Sequence, residues 1–222
     1  MKDRISFLVQ SLLWLAISVP TMVLPVAAQS FEGSVSYTIR LSGKDAPALL
    51  VDEPPKKMDL HIKGPNYIVS LSGGRIPRTM LFLSDSNETY IIDAANRRAF
   101  KNTYYLDTVK TNPSATATGE VVNVKGIACK EFLVEKPQTQ EKIYYYVSDR
   151  YRVDPVLYQG KTDAKADFLT IGLDGRIPLR KVLKTPTLTT ELDLISVKAK
   201  TLDAENFQMP RGFVIKKRDP RI

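Results

Sequence analysis

The chain offers one cysteine and one histidine in 222 residues, so its thiol and imidazole chemistry is quickly sorted. Cys129, in the stretch GIACKEFLV (residues 126–134), has the options of nucleophile, metal ligand, disulfide partner, lipid attachment point or core filler. A single cysteine forms no disulfide within the chain. With His61 as its sole companion, it lacks the ligand count of an ordinary Cys/His metal site. A nucleophilic thiol needs an electropositive, partly exposed site with a base in reach. Lys125 and Lys130 are near in sequence, but Lys130 should project opposite Cys129 along a strand. The expected role is burial, since free cysteine is among the most buried residue types.

His61 alternates with Asp59 and Lys63, placing it on the polar face of a strand. No G-x-S-x-G or comparable nucleophile motif accompanies it. Acidic pairs are too common along the chain for spacing to identify a glycosidase pair. Asp85-Ser86-Asn87-Glu88 loosely suggests a calcium loop, but the other ligands of an EF-hand are missing, and a hairpin turn explains it better. The sequence therefore predicts no enzyme, no metal site and no cofactor.

The elements that would position these residues are strands. Val35, Tyr37, Ile39 and Leu41 alternate with Ser34, Ser36, Thr38 and Arg40, the period-two signature of a half-buried strand. Met58, Leu60 and Ile62 alternate with Asp59, His61 and Lys63, and after the turn Gly64-Pro65-Asn66 the pattern continues in Tyr67, Val69 and Leu71. TMLFLS and TYIIDA form a further hairpin. EVVNVKGIACKEFLVE, EKIYYYVS and TELDLISVKAKTL are long strand candidates, and Asp174-Gly175 is read as the tip of a hairpin in DFLTIGLDGRIPLRKVL. Ala46–Leu50 is either a short helix or a loop before Pro54-Pro55, TNPSATATGE reads as an exposed loop, and DRYRVDPVLYQGKTDAKA as a loop carrying a short helix. In IYYYV, Tyr144 and Tyr146 oppose Ile143, Tyr145 and Val147, so both faces are apolar with hydroxyl tips. The sum is a mostly β antiparallel meander of about ten strands, large enough to curl or split.

The first 28 residues carry a basic start, a long apolar run and Val26-Ala27-Ala28, the order of a secretory signal. The run is also about as long as a spanning helix, so a retained anchor is the competing reading. The domain plan is a signal at 1–28, one half-barrel domain at 29–217 and a basic tail at 218–222. A formal net charge of +8 is modest, and with export it argues against nucleic acid as partner. The basic run from Arg211 to Ile222 is either a peripheral contact with anionic lipid headgroups or a solvated terminus.

Two stretches carry a family resemblance. TGEVVNVKGIACKEFLVE resembles the Thr-Gly-Glu, Gly-x-x-Cys and aromatic strand of a family of uncharacterised exported bacterial proteins. GRIPLRKVL and ISVKAKTLDAENFQMPRGF resemble that family's ending through Gly175, Pro178, Leu179, Phe207, Pro210, Gly212 and Phe213. FEGSVSYTI and MDLHIKGPNYIV fit the same order, so the resemblance spans most of Phe31–Lys217. The family is similar to the outer-membrane lipoprotein carriers of the Lol pathway. What the resemblance implies is a curved antiparallel sheet, an incompletely closed β-barrel with short helices over its concave face, and a cavity for acyl chains. It places no functional residue of the carriers on a particular position here.

The expectation is a soluble periplasmic or outer-envelope protein that binds a lipidic ligand or an acylated protein. The alternative is an envelope interaction module whose barrel is filled by its own side chains. Val35, Tyr37, Ile39, Met58, Leu60, Ile62, Tyr67 and Val69 are the candidate walls of core or cavity, two roles that alternation does not separate.

Overall fold

The computed structural model describes residues 30–75, 78–102, 114–158 and 172–217. The signal segment and the 218–222 tail lie outside the described residues, and so do Phe168–Ile171 of the expected hairpin.

Two meanders share one sheet. The first is β1 (Gly33–Ser42), β2 (Lys57–Lys63), β3 (Asn66–Ser72), β4 (Arg78–Leu83), β5 (Glu88–Asp93) and β6 (Arg98–Asn102). The second is β7 (Thr116–Val124), β8 (Ile127–Lys136), β9 (Glu141–Arg152), β10 (Arg176–Lys184) and β11 (Thr189–Ala199). They join where β1 pairs antiparallel with β11, and β12 (Val214–Lys217) adds in parallel to β6. The result is one curved sheet of twelve strands, with β7 and β12 at its two edges and unpaired with each other, so it does not close. Helix is confined to α1 (Ala46–Leu50) and the 3-10 turns Pro155–Tyr158 and Ala204–Phe207 among the described residues.

Turn chemistry sets the local registers. The β7–β8 hairpin turns at Lys125 and Gly126, both at positive φ (53° and 83°), as a two-residue turn matched to strand twist requires. The Asn123 side chain accepts from the Gly126 amide at 2.7 Å. At Gly175, φ is +73°, and a Cβ there would lie 2.1 Å from the Val153 carbonyl oxygen, so only glycine fits.

The structure corrects the sequence reading of several strands. Thr116–Glu120 belongs to β7, not to a loop: it is an exposed edge with a register shift between Ala117 and Val121, and edge strands need no apolar alternation. Asp174-Gly175 makes the expected tight turn, with the Arg176 amide donating to the Leu173 carbonyl at 3.0 Å, while the other arm of the expected hairpin lies outside the described residues. The described residues hold twelve strands against about ten expected: Arg98–Asn102 and Val214–Lys217 are too short to stand out by pattern, and EVVNVKGIACKEFLVE, read as one long strand, is two, folded back on themselves at Lys125-Gly126.

One face of the sheet carries the main core, which includes Val35, Leu60, Ile62, Phe82, Tyr145, Val147, Ile177 and Leu179. The chain crosses the opposite face after β11. There the Lys200 amide donates to the Glu32 carbonyl at 3.0 Å. The Leu202 amide donates to the Glu32 carboxylate at 2.6 Å, and the Lys63 ammonium to the Leu202 carbonyl at 2.7 Å. The turn Ala204–Phe207 then lies against β3 and β4 with Phe207 buried. Gly212, at φ +75°, redirects the chain so that the Val214 amide reaches the Arg97 carbonyl and β12 begins. The Phe-x-x-Pro-x-Gly-aromatic ending is thus the anchor and bend of a strap.

Candidate functional site

The eight candidate wall residues fall on one face of three adjacent strands. Val35 pairs with Leu60, which pairs with Val69, and Tyr37 stands opposite Met58. Ile62 stands opposite Tyr67, whose ring stacks on Phe82 with centroids 4.8 Å apart. Val35, Tyr37, Leu60, Ile62, Tyr67 and Val69 are buried in the core, whereas Ile39 and Met58 remain half-buried. The Tyr37 hydroxyl donates to the Pro178 carbonyl at 2.7 Å, tying β1 to β10, and burial pushes its pKa upward.

The same face continues into the second meander. Ile39 pairs with Leu192, Leu192 with Lys181, Lys181 with Tyr145 and Tyr145 with Phe132. The next row runs Leu41, Thr190, Leu183, Ile143 and Val134. Leu71, Phe132, Leu183 and Leu192 pack against the core without being fully buried. The face is therefore sealed around Val35 and Leu60; in the rows of Ile39 and Leu41 it is buried at Tyr145, Ile143 and Val134 and only partly covered at Ile39, Leu41, Leu192, Leu183 and Phe132.

Cys129 is fully buried, its sulfur 3.5 Å from the Ile127 carbonyl oxygen, and burial raises the thiol pKa. That is an inert packing environment. His61 is half-buried on the polar face, opposite Ser34. Ser36, Asp59 and His61 are close on that face, but the Ser36 hydroxyl donates to the Asp59 carboxylate. A serine spent in that way is not set up for attack, which would pair it with the imidazole. Burial lowers the His61 pKa; Asp59 opposes this, while Lys200 and Lys57 reinforce it. Burial works against the Asp59 carboxylate, yet Ser36 and Lys57 hold its pKa below the ordinary value. The loop Asp85-Ser86-Asn87-Glu88 is a turn with Asn87 at positive φ, and the Glu88 carboxylate is engaged by Lys101 and Tyr90. Among the described residues no group of three or more His, Cys, Asp or Glu side chains is placed to hold a metal.

A polar depression of about 320 Å³ lies where the β7–β8 turn meets β1, β10 and β11, lined chiefly by Thr38, Arg40, Asn123, Lys125, Arg180 and Asp193. Its two arginines are held by carboxylates: Arg180 lies 2.9 Å from Asp193, and Arg40 lies 3.1 Å from Glu191 and also contacts Asp193. Sequence spacing carried no sign of this network, because β1 brings Arg40 beside Arg180, Glu191 and Asp193 only through its pairing with β11.

The fold is a mostly β, curved and unclosed sheet of the kind the family resemblance implies. No family model and no curated protein matches the chain. Among solved structures it is similar to an uncharacterised conserved protein from Thermus thermophilus at TM-score 0.51 and 9% identity, over 84% of this chain and 91% of that one. That likeness shows the fold alone. LprF from Mycobacterium bovis aligns at TM-score 0.35 and 10% identity, over 82% of this chain and 90% of that one. The Mycobacterium tuberculosis lipoprotein LppX aligns at 0.34 and 7%, over 78% and 89%. The last two likenesses are too loose to carry an argument. No helix among the described residues is long and apolar enough to cross a membrane.

Proposed function

We propose that the protein is a non-catalytic binding protein of the cell envelope that takes up an acyl chain, from a lipid or an acylated protein, on the core face of its unclosed sheet. The reading is supported by the contrast along that face, which is sealed at Val35, Leu60 and Ile62 and only partly covered at Ile39, Met58, Leu71, Phe132, Leu183 and Leu192. Partly covered apolar side chains beside a packed core are what an apolar ligand completes. Residues 1–28 act as the export signal in this reading, and residues 29–217 as the binding domain.

The test is native mass spectrometry of the mature protein purified gently from its own envelope, followed by solvent extraction. A stoichiometric acyl-bearing adduct is expected. A clean apo mass, with no rise in melting temperature on adding lipids, moves the function to protein–protein interaction. The edge strand β7, where Val121 is 64% exposed, favours that second reading because an open edge can accept a partner's strand.

A further inference from the structure

We infer that the polar depression beside the β7–β8 turn binds a phosphomonoester, from a small organic phosphate or from a lipid headgroup. Its charged wall rises from the face opposite the proposed acyl surface, so the site does not depend on that reading.

The wall is built by strand pairing. Thr38 stands beside Asp193 and Asp193 beside Arg180, while Arg40 stands beside Glu191 in the next row. The β7–β8 turn adds Asn123 and Lys125. Three cations, Arg40, Lys125 and Arg180, thus gather about two carboxylates, Glu191 and Asp193, with one positive charge in excess.

The carboxylates orient the guanidinium groups without using all their donors. Arg40 reaches both Glu191 and Asp193 through Nη2, so Nη1 and Nε remain as donors. Arg180 turns Nε towards Asp193 at 2.9 Å and Nη2 towards Glu191 at 3.7 Å, with its guanidinium over the Tyr146 ring. The Asn123 side-chain oxygen accepts from the Gly126 amide at 2.7 Å, which leaves the side-chain NH2 to donate. Lys125 is exposed and forms no ion pair among the described residues.

Donors carried by β1, β10 and the turn therefore border one space of about 320 Å³. A carboxylate offers two coplanar oxygens, whereas a phosphate group offers three strong acceptors to donors on separate elements. Ile195, 47% exposed, borders the same space and gives the organic part an apolar contact.

The probes are phenyl phosphate and vesicles of phosphatidylcholine with or without phosphatidic acid, tested on the full chain at neutral pH. Calorimetry is expected to show saturable binding of phenyl phosphate at a single site. Lys125→Gln should weaken it about tenfold, the scale of one charge-assisted hydrogen bond. Arg40→Lys keeps the charge but loses the planar fork, and should weaken it as well. Lys198→Gln removes an equal charge from an exposed position outside the depression, and should leave the affinity as it was. Capture by phosphatidic acid vesicles that Lys125→Gln abolishes supports the site and makes the source a lipid headgroup. Phenyl phosphate binding without such capture supports it with a free phosphate as the ligand. The inference is overturned if phenyl phosphate does not bind saturably, or if Lys125→Gln and Arg40→Lys both keep the full affinity. Equal losses in Lys125→Gln and Lys198→Gln overturn it too, by reducing the effect to net charge.

Discussion

The two meanders use the same period-two pattern for different ends. In the first, β1–β6, alternation is clear in β1–β3, while in β4 Met80, Leu81 and Phe82 are buried in succession, so that both faces are occupied. The core face holds the rows of Val35, Leu60 and Val69, while Leu81 and Tyr90 are buried on the other side, where the Phe207 strap crosses. In the second, β7–β11, cations stand over aromatic rings: Arg176 over Phe132, Arg180 over Tyr146, Lys181 over Tyr145 and Lys184 over Tyr144. Its outer strand, β7, is almost wholly exposed. The first half is a scaffold closed on both sides, and the second presents a surface of mixed chemistry.

The sharpest way to break that comparison is a matched pair of truncations. Leu60→Ala, at a site with no exposure, should cost about 2–5 kcal/mol through lost transfer energy and a cavity. Leu192→Ala, at a half-buried site, should cost about 1 kcal/mol or less. Denaturant unfolding of both variants measures it, and equal costs would mean that the second half is as tightly packed as the first. Next, Phe207→Ala should lose about 3 kcal/mol. Native-state hydrogen exchange should speed up in β12 and β6 while β8–β10 keep their protection. Protection lost evenly across the sheet would instead make the strap a support for both halves.

A smaller effect tests the seam. Tyr37→Phe removes the hydroxyl that reaches Pro178 from β1 to β10, at a cost of about 1 kcal/mol. If melting does not shift, that bond does not couple the halves. The smallest effect belongs to the exposed network in which Asp149 meets Lys130 at 2.7 Å and Arg176 at 2.6 Å. Those hydrogen bonds hold the Asp149 pKa at about 2, against an ordinary 3.8. A lowered carboxylate pKa stabilises the folded state above the unfolded value and loses that contribution as pH falls through the folded one. Stability should therefore drop between about pH 4 and pH 2, and Asp149→Asn should flatten that limb. The difference should shrink in high salt, as for any exposed pair.

Much of the first meander was legible because each strand carries its own evidence. Val35, Leu60 and Val69 alternate with polar residues, and Gly64-Pro65 marks the turn between them. The second meander was harder to read. Thr116–Glu120 lacks apolar alternation because it is an edge, and the turn at Lys125-Gly126 lies hidden between two strand-like stretches that read as one. The β1–β11 pairing was not legible either, since alternation fixes which face a strand buries but not which strand lies beside it. Cys129, by contrast, was placed in the interior by its residue type alone.

The central position of β1 has a consequence for the order in which the molecule can be assembled. One side of β1 is filled at once by β2, its neighbour in the chain. The other waits for Thr189–Ala199, far later in the sequence. Joining the two halves is therefore a contact of very long sequence separation, the kind that slows folding. Until it forms, a nascent chain carries the open edge of β1, and a product truncated before Thr189 keeps that edge permanently.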